Sequence, residues 1–236
     1  MKQLRIFILF VAFTASTPSI LDAQVQFALK AGLNVANAPS SDDYNDSFEA
    51  ALGAEYNPQA LLSFHFGGQV EFGLGGNLGM SAGLQLTGKG TRYEFESVLQ
   101  GVPYSAKAYE RPLYLQVPVA LTYRKNGFYA GFGPYAGFGI NGNLKVKVKV
   151  QGQSESDTQD IKFGNSSEDY YAPIDFGAGF ELGYEFGPVR LSGSYQLGLS
   201  NTIPKDQVDA AKDAGLDQKK RNNVIGISLA YIFQKG

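Results

Sequence analysis

The chain has 236 residues, a formal net charge of −2, no cysteine and no tryptophan. That length suits one medium-sized domain, and the charge balance gives no ground for expecting nucleic acid as a partner. The missing thiols exclude a disulfide framework, thiolate metal ligation and a lipid-modified cysteine. A further feature is the 29 glycines beside 14 tyrosines and 17 phenylalanines, a combination rich for a globular enzyme.

The first element in the chain is a targeting segment. Lys2 and Arg5 precede the apolar run IFILFVAF (residues 6–13), which is too short to cross a bilayer as a helix, and a more polar stretch ends at Ala23. Residues 1–23 are therefore expected to be a secretory signal peptide, although Leu21 stands where a small residue is usual, and residues 24–236 to form one domain. Beyond the signal, no apolar stretch is long enough for a transmembrane helix.

From there period-two alternation dominates, in eight strand-like runs near 25–37, 59–74, 78–95, 104–125, 128–150, 170–186, 189–201 and 222–234. Tight turns at Gly75-Gly76-Asn77, Asn126-Gly127 and Gly187-Pro188 join three pairs of runs. Longer polar connections, about 38–57, 96–103, 151–169 and 202–221, join the rest. This alternation predicts an all-β, eight-stranded antiparallel up-and-down transmembrane β-barrel, with three short periplasmic turns at one end and four longer extracellular loops at the other.

The apolar faces agree across the turns. A two-residue turn at Gly187-Pro188 pairs Phe186 with Val189 and Glu185 with Arg190, and a three-residue turn pairs Leu74 with Leu78. An eight-stranded barrel has an interior just wide enough for side chains. The Phe, Tyr, Leu, Ile and Val face is too bulky to fit there, whereas the Gly, Ser and Gln face fits. The apolar face is therefore expected to meet lipid.

The stretch GFYAGFGPYAGFGI (127–140) follows the same logic. Gly131, Gly133 and Ala136 match a dinucleotide fingerprint, but Pro134 interrupts it and no helical period follows, so no nucleotide cofactor is expected. Instead Phe128, Phe132 and Phe138 face lipid, and the glycines make room inside around Tyr129 and Tyr135. Outward aromatics near the turns, Phe72, Tyr123, Phe128, Tyr184, Phe186, Tyr231 and Phe233, form an expected interfacial girdle. About ten residues further along, one tilted crossing, lie Leu113, Phe138 and Ile174, with Pro112 and Pro173 just beyond.

The segments FALKAGLNVA (27–36), LQLTGKGTRYE (84–94), 113–140, DFGAGFELGYEFG (175–187), YQLGLSN (195–201) and NNVIGISLAYIF (222–233) together resemble the PorT-type outer-membrane β-barrel family of Bacteroidetes-like bacteria. The resemblance covers nearly all of the mature chain except its loops. It implies a barrel and, through the name-giving member, a tie to type IX protein secretion; it carries no catalytic motif. Tyr231-x-Phe233 resembles the terminal aromatic signal read by barrel-assembly machinery, with Ser228 where glycine is usual and residues 234–236 extending beyond the signal.

The inward face carries Lys30, Glu71, Lys89, Asp175, Glu181, Glu185 and Arg190, read either as an ion path or as a paired network filling the lumen. His65, the only histidine, faces inward with Ser63 nearby in sequence; a hydrolytic triad would need a third member and an oxyanion hole that nothing in the sequence places. In LKVKVKV (144–150), Lys145, Lys147 and Lys149 share inward parity, read either as a solvated hairpin or as a basic ribbon for lipopolysaccharide phosphates or an acidic partner. Residues 204–221 suggest a short helix starting at Pro204, with Asp206, Asp209, Asp213 and Asp217 a wet acidic face rather than a calcium site. DDYND (42–46) lacks the glycine and glutamate of an EF-hand loop.

No metal or cofactor is expected. The expected role is that of a non-enzymatic outer-membrane protein acting through its extracellular loops, or as an accessory of an envelope, secretion or uptake complex. Its expected partners are outer-membrane lipid and lipopolysaccharide and the assembly machinery. The alternatives are a narrow channel through the polar lumen and an outer-membrane enzyme.

Overall fold

The computed structural model describes residues 25–52, 57–99, 102–150 and 152–233. The expected signal peptide and residues 234–236 lie outside the described residues. Strands β1 (Val25–Asn37), β2 (Leu61–Gly75), β3 (Leu78–Gly88), β4 (Thr91–Leu99), β5 (Val102–Lys125), β6 (Phe128–Val150), β7 (Gln153–Asp160), β8 (Ile174–Phe186), β9 (Val189–Gly198) and β10 (Asn223–Phe233) are joined by two helices, α1 (Asp42–Leu52) and α2 (Lys205–Asp213). Eight of the ten strands close a ring in the order β1-β2-β3-β5-β6-β8-β9-β10, antiparallel throughout; β10 seals to β1 with Phe27 opposite Phe233.

The medium explains which face is which. Phe27, Leu121, Phe132 and Ile227 on the outside are all about 60 % exposed or more, whereas Tyr129 and Gln116 inside are 1 % and 0 % exposed. An outer wall of large apolar side chains is unfavourable against water and suits hydrocarbon. Inside, glycine is a spatial necessity: a Cβ at Gly133 would sit 2.0 Å from the carbonyl oxygen of Val119. The expected girdle lies at the turn end. Phe128 pairs with Tyr184, Leu78 with Tyr123 and Val25 with Phe72, and the rings of Tyr184–Phe186 and Tyr231–Phe233 touch at 4.8 and 5.1 Å.

Two tight turns match the expected register. Asn126 and Gly127, both at positive φ, place Lys125 opposite Phe128, and Gly187 at φ 61 places Glu185 opposite Arg190. The third differs. Gly75 pairs with Leu78 across Gly76-Asn77, and Leu74 is the extra residue of a bulge rather than the partner of Leu78. The bulge keeps both leucines outward, at 59 % and 60 % exposed.

At the opposite end the strands outgrow the ring. The run expected at 78–95 is interrupted at Lys89-Gly90, where Gly90 takes φ 109 and a Cβ would meet the Glu110 carbonyl oxygen at 2.1 Å. Beyond the interruption β4 continues along β5 in the same register, Gly88 opposite Leu113 and Thr91 opposite Glu110. The connection expected at 151–169 contains β7, paired with the far half of β6. β4-β5-β6-β7 thus form a four-stranded sheet rising beyond the barrel rim. The connection at 38–57 contains α1, which begins in the DDYND run.

One expectation is corrected here. Lys145, Lys147 and Lys149 do not share the inward parity of Tyr135 and Gly137. The β5–β6 register shifts between Leu113 and Tyr114: Tyr114 faces Gly139, Leu113 faces Asn141, and Ile140 is the extra residue. Counting by twos fails across a bulge. Beyond Ile140 the odd residues of β6 lie on the same outer face as Leu113, and the even ones, Gly142, Leu144, Val146 and Val148, turn over the barrel mouth.

Candidate functional site

Any site must be built from the lumen or from the loop end above it. All seven charged residues singled out in the sequence point into the lumen, where they form three groups. Nearest the turns, Arg190 on β9 donates to both oxygens of Glu71 on β2, at 2.8 and 3.0 Å, and to Glu185 at 2.6 Å. Arg190 is 0 % exposed and lies 3.6 Å from the centre of the Tyr129 ring. Arg124 on β5 completes this group, donating to Glu71 and lying 3.3 Å from Glu185, while Gln69 also donates to Glu71. Sequence reading missed Arg124, although parity alone identifies it: it follows the outward Tyr123.

Midway along, Lys30 on β1 donates to Glu181 on β8 at 2.7 Å, and the Ser192 hydroxyl donates to the other carboxylate oxygen at 2.6 Å. Towards the loops, Lys89 donates to Asp175 at 2.8 Å, both buried, with the Ser200 hydroxyl and Asn222 amide adding to the carboxylate. Lys89 also lies 4.0 Å from the Tyr135 ring centre. Buried charges persist only when paired and hydrogen-bonded, and these groups meet that condition.

Between the first and third groups lies a cavity of about 70 Å³, lined by Lys30, Glu181, Gln69, Gln116, Tyr135 and Gln196 among others. Both amide atoms of Gln116, the Tyr135 hydroxyl and the Gln196 carbonyl have no protein partner. A space of that size with several such groups suits ordered water.

His65 is in a different company from the one expected. Its Nδ1 lies 2.7 Å from Asn34 Oδ1, and its Nε2 2.8 Å from Ser228 Oγ; Ser63 is not its partner. Asn34 donates its amide to Phe64 O, Thr87 Oγ1 and Gly88 O, which fixes its oxygen towards the ring. Nδ1 therefore carries the proton and Nε2 accepts from Ser228. This is the ordering of a Ser–His–Asn relay. All three side chains are buried, however, and none lines the cavity. In the sequence, position 228 stands out only as a departure from glycine. Its pairing with His65 joins residues 163 apart and has no local signal.

Above the rim, the connections converge on a second cavity of about 360 Å³, lined by Tyr44, Glu110, Tyr170, Tyr171, Gln207 and Lys220 among others. Lys220 donates to Glu110 at 2.5 Å, and the Tyr171 hydroxyl donates to the same oxygen at 2.6 Å. Burial, and after it Glu110, pushes the Tyr171 phenol up, and burial does the same for Tyr44, so both stay protonated. α2 follows Pro204 at its N-cap and buries Ala211; Asp209 on its wet face is taken by Lys205 at 2.6 Å and Asp217 beyond it by Lys219 at 2.5 Å. Among the described residues no cluster of histidine and carboxylate side chains has the geometry of a metal site.

A family model described as the outer membrane protein beta-barrel domain matches residues 15–204. Similar solved structures include Ail, the attachment invasion locus protein of Yersinia pestis (14 % identity, 89 % of this chain and 99 % of that one, TM-score 0.40). They also include OprG from Pseudomonas aeruginosa (13 % identity, 90 % and 98 %, TM-score 0.36) and Neisserial surface protein A (13 %, 88 % and 97 %, TM-score 0.34). No curated protein matches the chain.

Proposed function

The chain belongs to the outer-membrane β-barrel domain family, and from that premise we propose that it is a sealed, non-enzymatic scaffold of the bacterial outer membrane whose working surface is its loop end, turned to the cell exterior. The observation that carries this reading is the double closure of the lumen: Glu71–Arg190–Arg124–Glu185 near the turns and Lys89–Asp175 towards the loops. A barrel filled in this way has little room for a diffusing solute. The elaborated end, with α1, α2 and the β4–β7 sheet, is what a partner in the envelope would meet. The PorT-type segments favour a role as accessory to a secretion or uptake complex, and recovery of such a complex by pull-down from native membranes is the expected result.

The second reading is a narrow channel, favoured by the polar cavity around Gln116 between the two closures. Planar-bilayer recordings separate the two readings. The sealed barrel gives no steady openings, and steady single-channel steps from the purified full chain would overturn it. An enzymatic reading rests on Ser228–His65–Asn34, and the burial of all three tells against it.

A further inference from the structure

We propose that the outward face of the β4–β7 sheet is a docking surface for the phosphate groups of glycolipid headgroups in the leaflet that the sheet overhangs. This rests on the reading that the loop end faces the cell exterior.

The Ile140 bulge is the first observation. It places Lys145, Lys147 and Lys149 on the outer face, where Leu113 opposite Asn141 is the last lipid-facing contact. Residues opposite one another on paired strands share a face. Lys147 is opposite Lys107, and Lys145 opposite Tyr109, which in turn is opposite Arg92 on β4. Arg111, two residues from Leu113 on β5, has the same parity and lies 4.9 Å from the Tyr109 ring centre. The acidic residues on this face are Glu94, Glu96 and Asp160. Glu94 is already engaged, by Lys107 at 2.8 Å and Arg92 at 3.9 Å. Lys145, Lys147 and Lys149 make no ion pair among the described residues, and Lys147 and Lys149 are exposed.

The second observation is what flanks those lysines. Across β7 they face Thr158, Ser156 and Ser154 respectively. Ammonium and hydroxyl groups side by side supply the donors that a phosphate oxygen accepts from. Alternate residues of a strand are about 7 Å apart, so the three lysines form a ladder and not a single point.

Location selects the occupant. The face rises directly from the lipid-facing wall at Leu113 and Ile140, so a headgroup meets it without displacing lipid. An acidic protein would have to approach across the membrane surface. Basic residues near an anionic membrane surface contribute about fivefold each in affinity.

The test uses the full chain folded in detergent and the triple variant K145Q/K147Q/K149Q, with folding of both checked by heat-modifiable migration. The probes are bisphosphorylated lipid A and the same lipid with its phosphates removed. Wild type should hold the phosphorylated form at least tenfold more tightly, and the triple variant should lose about a hundredfold of that affinity, from about fivefold per lysine. Equal binding of the two lipids, or an unchanged triple variant, would overturn the proposal. So would displacement by millimolar inorganic phosphate, or tighter binding of polyglutamate, which would mark an acidic protein as the partner. Sidedness is read separately, by an impermeant maleimide on whole cells carrying Lys147→Cys. Absence of labelling there overturns the outward orientation and the leaflet with it. Labelling without phosphate discrimination overturns the docking surface alone.

Discussion

The same two strands, β5 and β6, run through two environments and obey opposite rules in each. Below the rim, residues 113–124 of β5 send Leu115, Leu121 and Tyr123 outward and Gln116, Thr122 and Arg124 inward. Above it, Tyr109 and Lys107 point outward, and the buried Ala106 and Ala108 point over the mouth, where β4 and its Phe48–Tyr93 contact with α1 add apolar cover. The polarity inverts because the outer solvent changes from hydrocarbon to water. β5 accomplishes the change by sequence alone, keeping its parity, whereas β6 uses the extra residue at Ile140. Polarity alone therefore does not identify an inward residue; the medium on the other side must be known first.

The largest expected effect lies in the lower region. Arg190→Met leaves Glu71 and Glu185 with Arg124 as the one cation of their group, and breaking a buried pair in this way costs about 3–5 kcal/mol. The shift of the urea midpoint of the folded full chain would report it. The upper-region counterpart, Lys147→Met, should change stability by less than about 0.5 kcal/mol, and a comparable loss there would erase the contrast.

Next in size is the lipid-facing wall. Ile227→Arg, at a position 66 % exposed in the middle of β10, should cost about 2–4 kcal/mol in a bilayer. Ser156→Arg, outward on β7, should be nearly neutral. Equal penalties, measured by the same unfolding in liposomes, would mean that β7 is also immersed.

Smaller again is the buried relay. Ser228→Ala strands His65 Nε2 without its donor, at about 1–3 kcal/mol. A fluorophosphonate probe should leave the wild-type serine unlabelled, and labelling that disappears in Ser228→Ala would revive the enzymatic reading. The least costly change is also a sharp one. Maleimide should modify cysteine at 147 faster than at 148, and equal or reversed rates would mean that the register shift at Ile140 is absent.

How much of this was legible follows from the range of each signal. The ring, its turns and the outward aromatics come from alternation and turn chemistry, both local, and Glu185 opposite Arg190 follows from one two-residue turn. Leu74 and Ile140 escaped because a bulge leaves no mark in hydropathy; it becomes visible only when two strands are laid side by side. β7 escaped because QSESDTQD has no apolar alternation, being wet on both faces. The partners of His65 escaped because lumen contacts depend on barrel closure, which brings β1, β2 and β10 together.

The lumen ion pairs have a mechanical consequence. Arg190–Glu71 links β9 to β2, Lys30–Glu181 links β1 to β8, and Lys89–Asp175 reaches from the end of β3 to β8. None of these strands are neighbours in the ring, so the bonds act as spokes rather than as further stitching along the rim. A wheel braced in this manner resists flattening into an oval. When the surrounding bilayer is thinner or thicker than the girdle-to-rim height, the acyl chains must stretch or compress to meet the protein, because its cross-section will not yield.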